Sequence, residues 1–414
     1  MQGETPLTVS ARSSSGTARV GRGRLVAAAA AAVTVALVAA ACGGSTTGGS
    51  SGGSTPAAGG AVPAKYDLKA AGCPSTVVLQ TDWFPEADHG SQYELLGPNP
   101  SIDTGKKTVT GELVAHGGVD TGVKLQIRAG GPAIGYQLVT SQLYADNSIT
   151  LGYMGTDEQI ANSKDHPTVA VLASLEKSPL IIQWSPDKHP DWKTIADIGK
   201  TDTKVLYYQG ASYMDYLTGA GILKKSQVDG SYQGDPSNFV ASGGEYAVQG
   251  YATNEPYVFS KEVRSWDKPM KYQLVADAGY DNYMQEIAVR PDKLAGLKPC
   301  LTKLVPIMQQ AIVDFMGNPG PVTKLIVDLV SKYKSAAPYS QGAADYGVST
   351  MKSEGIVSDG TTPAIGDFDT ARVQKLIGIL APIYTSQGKP TKPGLTASEL
   401  VDNSFLDPKI SLTS

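Results

Sequence analysis

Four short stretches of this 414-residue chain gather side chains that could bind or react. They read DWFPEADHG at 82–90, GYMGTDEQ at 152–159, YYQGASYMDY at 207–216 and GYATNEPY at 250–257. The first holds one of four tryptophans and one of four histidines in the chain. Each stretch combines glycine or small residues, which let a backbone approach closely, with polar and aromatic side chains. A mostly apolar pocket with a few placed polar groups is what a small-molecule site needs. Catalysis is harder to assemble. His89 with Asp88 or Glu86 could act as a general base, but no G-x-S-x-G nucleophile turn accompanies it. His116, His166 and His189 lack metal-ligand spacing, and no glycine-rich phosphate or dinucleotide loop occurs. The residues therefore point to binding without a metal or cofactor, and not to an enzyme.

Each candidate has a plainer role beside the functional one. Trp83 follows a strand-like STVVLQ and precedes Pro85, so its ring could stack on a ligand or fill core. His89 could contact a ligand, brace the turn or serve as a base. Gly155, Thr156 and Asp157 open a helical DEQIANS, where Thr156 and Asp157 could cap the helix or hold a ligand. Ser212 and Tyr213 open another helix after Tyr208, and amides there could hold an anionic or carbonyl group. Asn254 and Glu255 precede Pro256, where Glu255 could cap the next helix or accept from ring N–H groups.

The elements that would carry these residues alternate. STVVLQTDW reads as a strand, TVTGELVAHGGVDTGVKLQIRAG as a hairpin or two strands, and GPAIGYQLVTSQLYAD as a helix with Pro132 near its start. SITLGYMG is a strand again, and this strand–helix–strand order predicts parallel pairing. TVAVLASLEKSPLIIQWSP is β-rich but interrupted at 176–179, as though the chain passes between sheets. TIADIGKTDTKVLYYQG reads as helix, turn and strand, and SYMDYLTGAGILKK as a helix with Ser212 as N-cap. YAVQGYATNEPYVFSKEV gives strand, turn and helix, YQLVADAG and MQEIAVR give strands, and LTKLVPIMQQAIVDFMG and VTKLIVDLVSKY give amphipathic helices. The class is α/β, with the unusual residues at carboxyl ends of strands, where open α/β sheets bind ligands.

The N-terminus bounds the setting. Arg12, Arg19, Arg22 and Arg24 precede an apolar run over residues 25–41, short for a membrane span of about 20 residues but suited to a signal peptide. VAAAC ending at Cys42 resembles a bacterial lipobox, which predicts a signal peptide over 1–41 and a lipid on Cys42. Residues 42–66 are Gly/Ser/Pro-rich and read as a flexible tether. Removing the leader, with its four arginines and Glu4, would shift the formal charge from −4 to −7. That balance argues against nucleic acid as a partner. A mature chain of about 370 residues exceeds the size at which single cores stop growing, so two lobes are expected. The remaining cysteines, Cys73 and Cys300, form a disulfide or stand as two buried thiols; export favours the disulfide.

Taken together, the clusters resemble those of substrate-binding lipoproteins of ABC importers, in the branch of thiamine-pyrimidine-precursor binders and the fungal pyrimidine synthase. Trp83, Phe84, Pro85 and His89 match its Trp-Phe-Pro-x-x-x-His segment. Gly155, Thr156 and Asp157 match a Gly-Thr-Asp turn, and Thr253 to Pro256 a Thr-Asn-Glu-Pro segment. The resemblance implies a type II periplasmic-binding-protein fold, with lobe 1 over 67–178 and 266–414 and lobe 2 over 179–265. It implies a monomer, held by its lipid at the extracytoplasmic face of the cell membrane, that closes by a hinge and delivers solute to a permease. Trp83 would stack on a planar ring, with Glu86, Asp157 and Glu255 reading its edges and Ser178 near the cleft. Riboflavin-like, sulfonate or nitrate solutes, an enzyme of the same fold, and a receptor without transport are the alternatives. The synthase's cysteine cluster is missing, and the segment around 98–122 is longer than the family pattern.

Overall fold

The computed structural model describes residues 62–335 and 339–413. The expected signal peptide, the lipidation site Cys42 and most of the tether lie outside the described residues. Twelve strands are found among those described: β1 (Thr76–Gln80), β2 (Ser101–Asp103), β3 (Thr108–Ala115), β4 (Val119–Arg128), β5 (Leu151–Met154), β6 (Val169–Ala173), β7 (Leu180–Trp184), β8 (Val205–Leu206), β9 (Val228–Asp229), β10 (Ala247–Tyr251), β11 (Lys271–Leu274) and β12 (Glu286–Val289). The helices are α1 (Gly90–Tyr93), α2 (Val139–Ala145), α3 (Thr156–Asn162), α4 (Ile195–Gly199), α5 (Ser212–Gly219), α6 (Ser237–Ala241), α7 (Glu255–Lys261), α8 (Pro291–Gly317), α9 (Gly320–Tyr333), α10 (Gln341–Ser353) and α11 (Thr370–Ser386). No helix among the described residues is long and apolar enough to cross a membrane.

The strands form two sheets, ordered β2-β3-β4-β1-β5-β12-β6 and β11-β7-β10-β8-β9. β1 pairs in parallel with both β4 and β5, as the strand–helix–strand order predicts. Its Val77, Val78 and Leu79 are all buried, the continuous apolar run of a strand covered on both faces. The chain leaves the first sheet after β6, and 174–179 carries it into β7 of the second. It returns through 275–285 into β12. The second sheet thus runs further than a lobe ending at 265, because β11 pairs with β7 from Lys271 to Leu274. The long segment near 98–122 extends the outer edge of the first sheet as β2 and β3.

The helix expected from Pro132 divides in two. A 3₁₀ turn covers Gly131–Ile134, then Gly135 and Tyr136 both take positive φ, 63° and 59°, before α2 begins. Two left-handed residues in succession cannot continue a right-handed helix. The result is a loop that carries Tyr136 and Leu138, the two exposed large apolar side chains among the described residues.

α10 and α11, which no periodicity argument above anticipates, both reach across the two sheets. α11 packs on α3 and α5, and α10 on α7 and the turn at 87–89. Near the N-terminal end of α11 the Arg372 guanidinium donates to the Glu176 carbonyl (2.8 Å) and the Asn282 carbonyl (3.1 Å), and pairs with Asp281 (2.8 Å). One side chain thereby ties both crossover segments together. A disulfide joins Cys73, ahead of β1, to Cys300 in α8 across 227 positions of sequence.

Candidate functional site

The loop after β1 is held against the loop after β4. Thr81 Oγ1 donates to the Arg128 carbonyl (2.9 Å), and Gly130 N donates to the Trp83 carbonyl (2.9 Å). Side chains are excluded where the loops meet. A Cβ at Gly130 would fall 2.2 Å from the Thr81 carbonyl oxygen, and one at Gly131, whose φ is 55°, 2.5 Å from the Trp83 ring. The half-buried Trp83 ring therefore lies directly over backbone. Its centroid is 5.9 Å from that of Tyr136, which in turn is 6.3 Å from that of Tyr208 beyond β8. Aromatic rings from the two sheets meet here.

Below Trp83, carboxylates accumulate. Asp82 accepts from His89 Nε2 at 3.1 Å, while the His89 ring meets Tyr153 edge-on at 5.2 Å. His89 is fully buried, and its Nε2 braces Asp82. Asp88 Oδ2 lies 3.3 Å from Gln285 Nε2 and 3.4 Å from Thr253 Oγ1, and its Oδ1 has no partner. Half-buried Glu86 makes no side-chain hydrogen bond among the described residues, although the adjacent Ala87 N donates to Tyr339 Oη (2.7 Å). Opposite, Glu255 opens α7 and accepts from Tyr251 N (2.6 Å). It folds over Gly250, where a Cβ would be 2.8 Å from its own.

This grouping perturbs its members strongly. Burial, then the charges of Asp88, Glu255 and Asp82, raise the Glu86 pKa well above the usual range. Burial, opposed by the Tyr251 amide, lifts Glu255 to about 7. Asp88 is raised by burial, with His89 the main opposing charge. Burial alone would lower the His89 pKa, but the hydrogen bond and charge of Asp82, with the charge of Asp88, outweigh it and raise it. No lysine or arginine is among the groups that act on Glu86, Asp88 or Glu255.

The other expected wall makes more internal hydrogen bonds. Asp157 accepts from Tyr280 Oη (2.9 Å) and Asn282 Nδ2 (3.3 Å). Tyr384 of α11 donates to the Asp157 carbonyl (3.2 Å), and its oxygen lies 2.5 Å from Ser212 Oγ. Ser212 is therefore not the N-cap of α5; Ala211 takes that position. Gly155, likewise, is the N-cap of α3, so the Thr156 hydroxyl is free to donate to Glu286 (3.0 Å) in the interior. Tyr213 is buried and donates to Gln249 (2.6 Å). Ser178, also buried, accepts from Leu180 N at 3.4 Å within the crossover. The structure brings Trp83, Glu86, Tyr208, Asn254 and Glu255 to one region and assigns the remaining candidates internal partners.

No protein-family model matches the chain, and no curated protein sequence matches it. Solved structures do match. The periplasmic aliphatic sulphonate binding protein SsuA from Escherichia coli is 13% identical with a TM-score of 0.50, over 77% of this chain and 89% of that one. A protein from Bordetella bronchiseptica RB50 is 13% identical with a TM-score of 0.50, over 80% and 96%. The fold is that of the periplasmic binding proteins. The nitrate-binding protein NrtA from Synechocystis PCC 6803 also matches, 11% identical with a TM-score of 0.47, over 80% of this chain and 87% of that one. At such identities the likeness concerns the periplasmic-binding-protein architecture alone.

Several residues of the region escaped the sequence reading. Asp82 and Tyr251 stand inside stretches already singled out, so their signal was present but unweighted. Tyr136 lay in an expected helix, and Tyr339, Gln285 and Tyr384 carry no local signal.

Proposed function

We propose that this protein is a lipid-anchored, extracytoplasmic solute-binding protein of an ABC importer. It holds a small aromatic heterocycle between its two sheets and delivers it to the importer's membrane subunits. The observation that carries this reading is the meeting of Trp83, Tyr136 and Tyr208 from opposite sheets above polar groups without partners. Ring faces can take a planar solute, and the polar groups below can read its edge. The periplasmic-binding-protein fold gives the arrangement its context. The anchor is Cys42, the lobes divide at the crossovers 174–179 and 275–285, and the chain acts as a monomer. Closure is a hinge motion at those crossovers, with Arg372 as a tie. A thiamine-type pyrimidine is the first candidate, and flavin-like solutes come next.

A thermal-shift panel of pyrimidines, flavins, sulfonates and nitrate tests the proposal. One clear stabiliser is expected, because a ligand that binds only the folded state stabilises as RT ln(1 + [L]/Kd). Uniform silence, including after unfolding and refolding to strip any copurified solute, would overturn it. Turnover of the bound ring, lost in His89→Ala with binding intact, would instead favour an enzyme.

A further inference from the structure

We propose that the solute of this cleft carries a positive charge: an organic ammonium, an amidinium or a cationic nitrogen heterocycle, with its charge toward Glu86 and Glu255. This deepens the solute-binding reading and rests on it.

Three observations converge on that charge. Asp82, Glu86, Asp88 and Glu255 share one neighbourhood, each of the last three feels another carboxylate in it, and no lysine or arginine acts on those three. The basic group that acts on Asp88 is His89, whose Nε2 is already engaged by Asp82 at 3.1 Å, so an oxyanion placed there would meet like charges with no lysine or arginine to receive it. The second observation is that three buried acceptors here have no partner, outnumbering the unpartnered nitrogens of His89 and Gln183. Asp88 Oδ1 and Gln285 Oε1 belong to side chains only 3% exposed, and Asn254 Oδ1 is buried beside Glu255. Acceptors without donors call for a solute rich in N–H groups. The aromatic faces are the third, because Trp83, Tyr136 and Tyr208 would attract a cation through their ring quadrupoles. A metal ion does not satisfy this set: among the described residues no three His, Cys, Asp or Glu side chains are grouped to hold one.

The test uses the full-length protein and probes matched in shape but not in charge. One pair is 5-aminomethyl- and 5-hydroxymethyl-4-amino-2-methylpyrimidine; a second is benzylamine, protonated at pH 8, and benzyl alcohol; methanesulfonate is the anion. Calorimetry at pH 8 is expected to show a cationic member binding at least about tenfold more tightly than its neutral partner. Glu86→Gln and Glu255→Gln, made separately so that a folding defect in one leaves the other readable, are each expected to bring that ratio close to one. A neutral or anionic probe that binds as tightly as any cation, and loses binding in Trp83→Ala, would leave the solute-binding reading standing and overturn the charge assignment. Failure of every probe to bind would overturn both.

Discussion

Two groups of strand-end residues, similar in composition, have different fates in this molecule. The wall at Asp82–His89 and Asn254–Glu255 keeps acceptors without donors, and no basic group acts on its Glu86 or Glu255. At Asp157 and Ser212, Tyr280, Asn282 and Tyr384 reach the carboxylate and the hydroxyl, although Asn282 Oδ1 itself has no partner. Both sit at carboxyl ends of strands, so strand-end position alone does not make a binding surface. What separates them is whether another part of the chain reaches in to satisfy the polar groups. An unsatisfied buried polar group costs about 1–3 kcal/mol, a cost retained only where something else can offset it, and a bound solute can.

Substitutions should separate the two groups by what they damage. Trp83→Ala removes the flat face of the Asp82–His89 wall and is expected to weaken solute binding by about ten- to a hundredfold, using about 1–3 kcal/mol for a stacked ring. Calorimetry with the stabiliser found in the thermal-shift panel would measure it, and unchanged affinity would break the comparison. Asp157→Ala should instead lower stability by about 1–3 kcal/mol in urea unfolding, since Tyr280 and Asn282 lose their acceptor, with affinity nearly unchanged. A large affinity loss would mean that the Asp157 group also binds.

Acid should act on the Asp82–His89 and Asn254–Glu255 wall with a defined sign. Between the ordinary carboxylate value of 4.5 and the raised value of about 7 at Glu255, the unfolded chain has lost a proton that the folded one keeps. Stability from this group therefore falls as pH rises through that window and levels off above it. Glu86 and Asp88, raised in the same direction, add to the trend, and so does His89, whose raised value means stability lost as pH rises through it. The solute-free protein should melt several degrees lower at pH 8 than at pH 5.5, and Glu255→Gln should flatten the difference. A melting temperature that rises over that interval in wild type would contradict the assignment. The smallest effect is expected from Tyr384→Phe, about 1 kcal/mol, because Ser212 and the Asp157 carbonyl each lose one partner.

Much of the scaffold was legible because its signals are local. Periodicity located β1, β5 to β7 and α8, and the interrupted run at 176–179 marked a real crossover between sheets. Local reading failed where a distant segment decided the outcome. Ser212 has the side chain of an N-cap, yet its hydroxyl turns to Tyr384, 172 positions away. His89 stands in an exposed-looking turn, yet it is buried, with its Nε2 on Asp82. YQLVADAG was legible as a strand, but its pairing with β7 in the second sheet depends on an open edge that no pattern within the strand could announce.

By itself the sequence determined the α/β alternation, the pairing of aromatic and acidic residues at strand ends, and the excess of acid over base. These follow from chain-local spacing and composition. Only the tertiary structure decided which strand ends stayed unsatisfied. Hydrogen bonds are short-ranged and directional, so a carboxylate is silenced or left available by whichever side chain folding carries to within about 3 Å of it. For Asp157 that side chain came from Tyr280 of the returning crossover; for Glu86 none came.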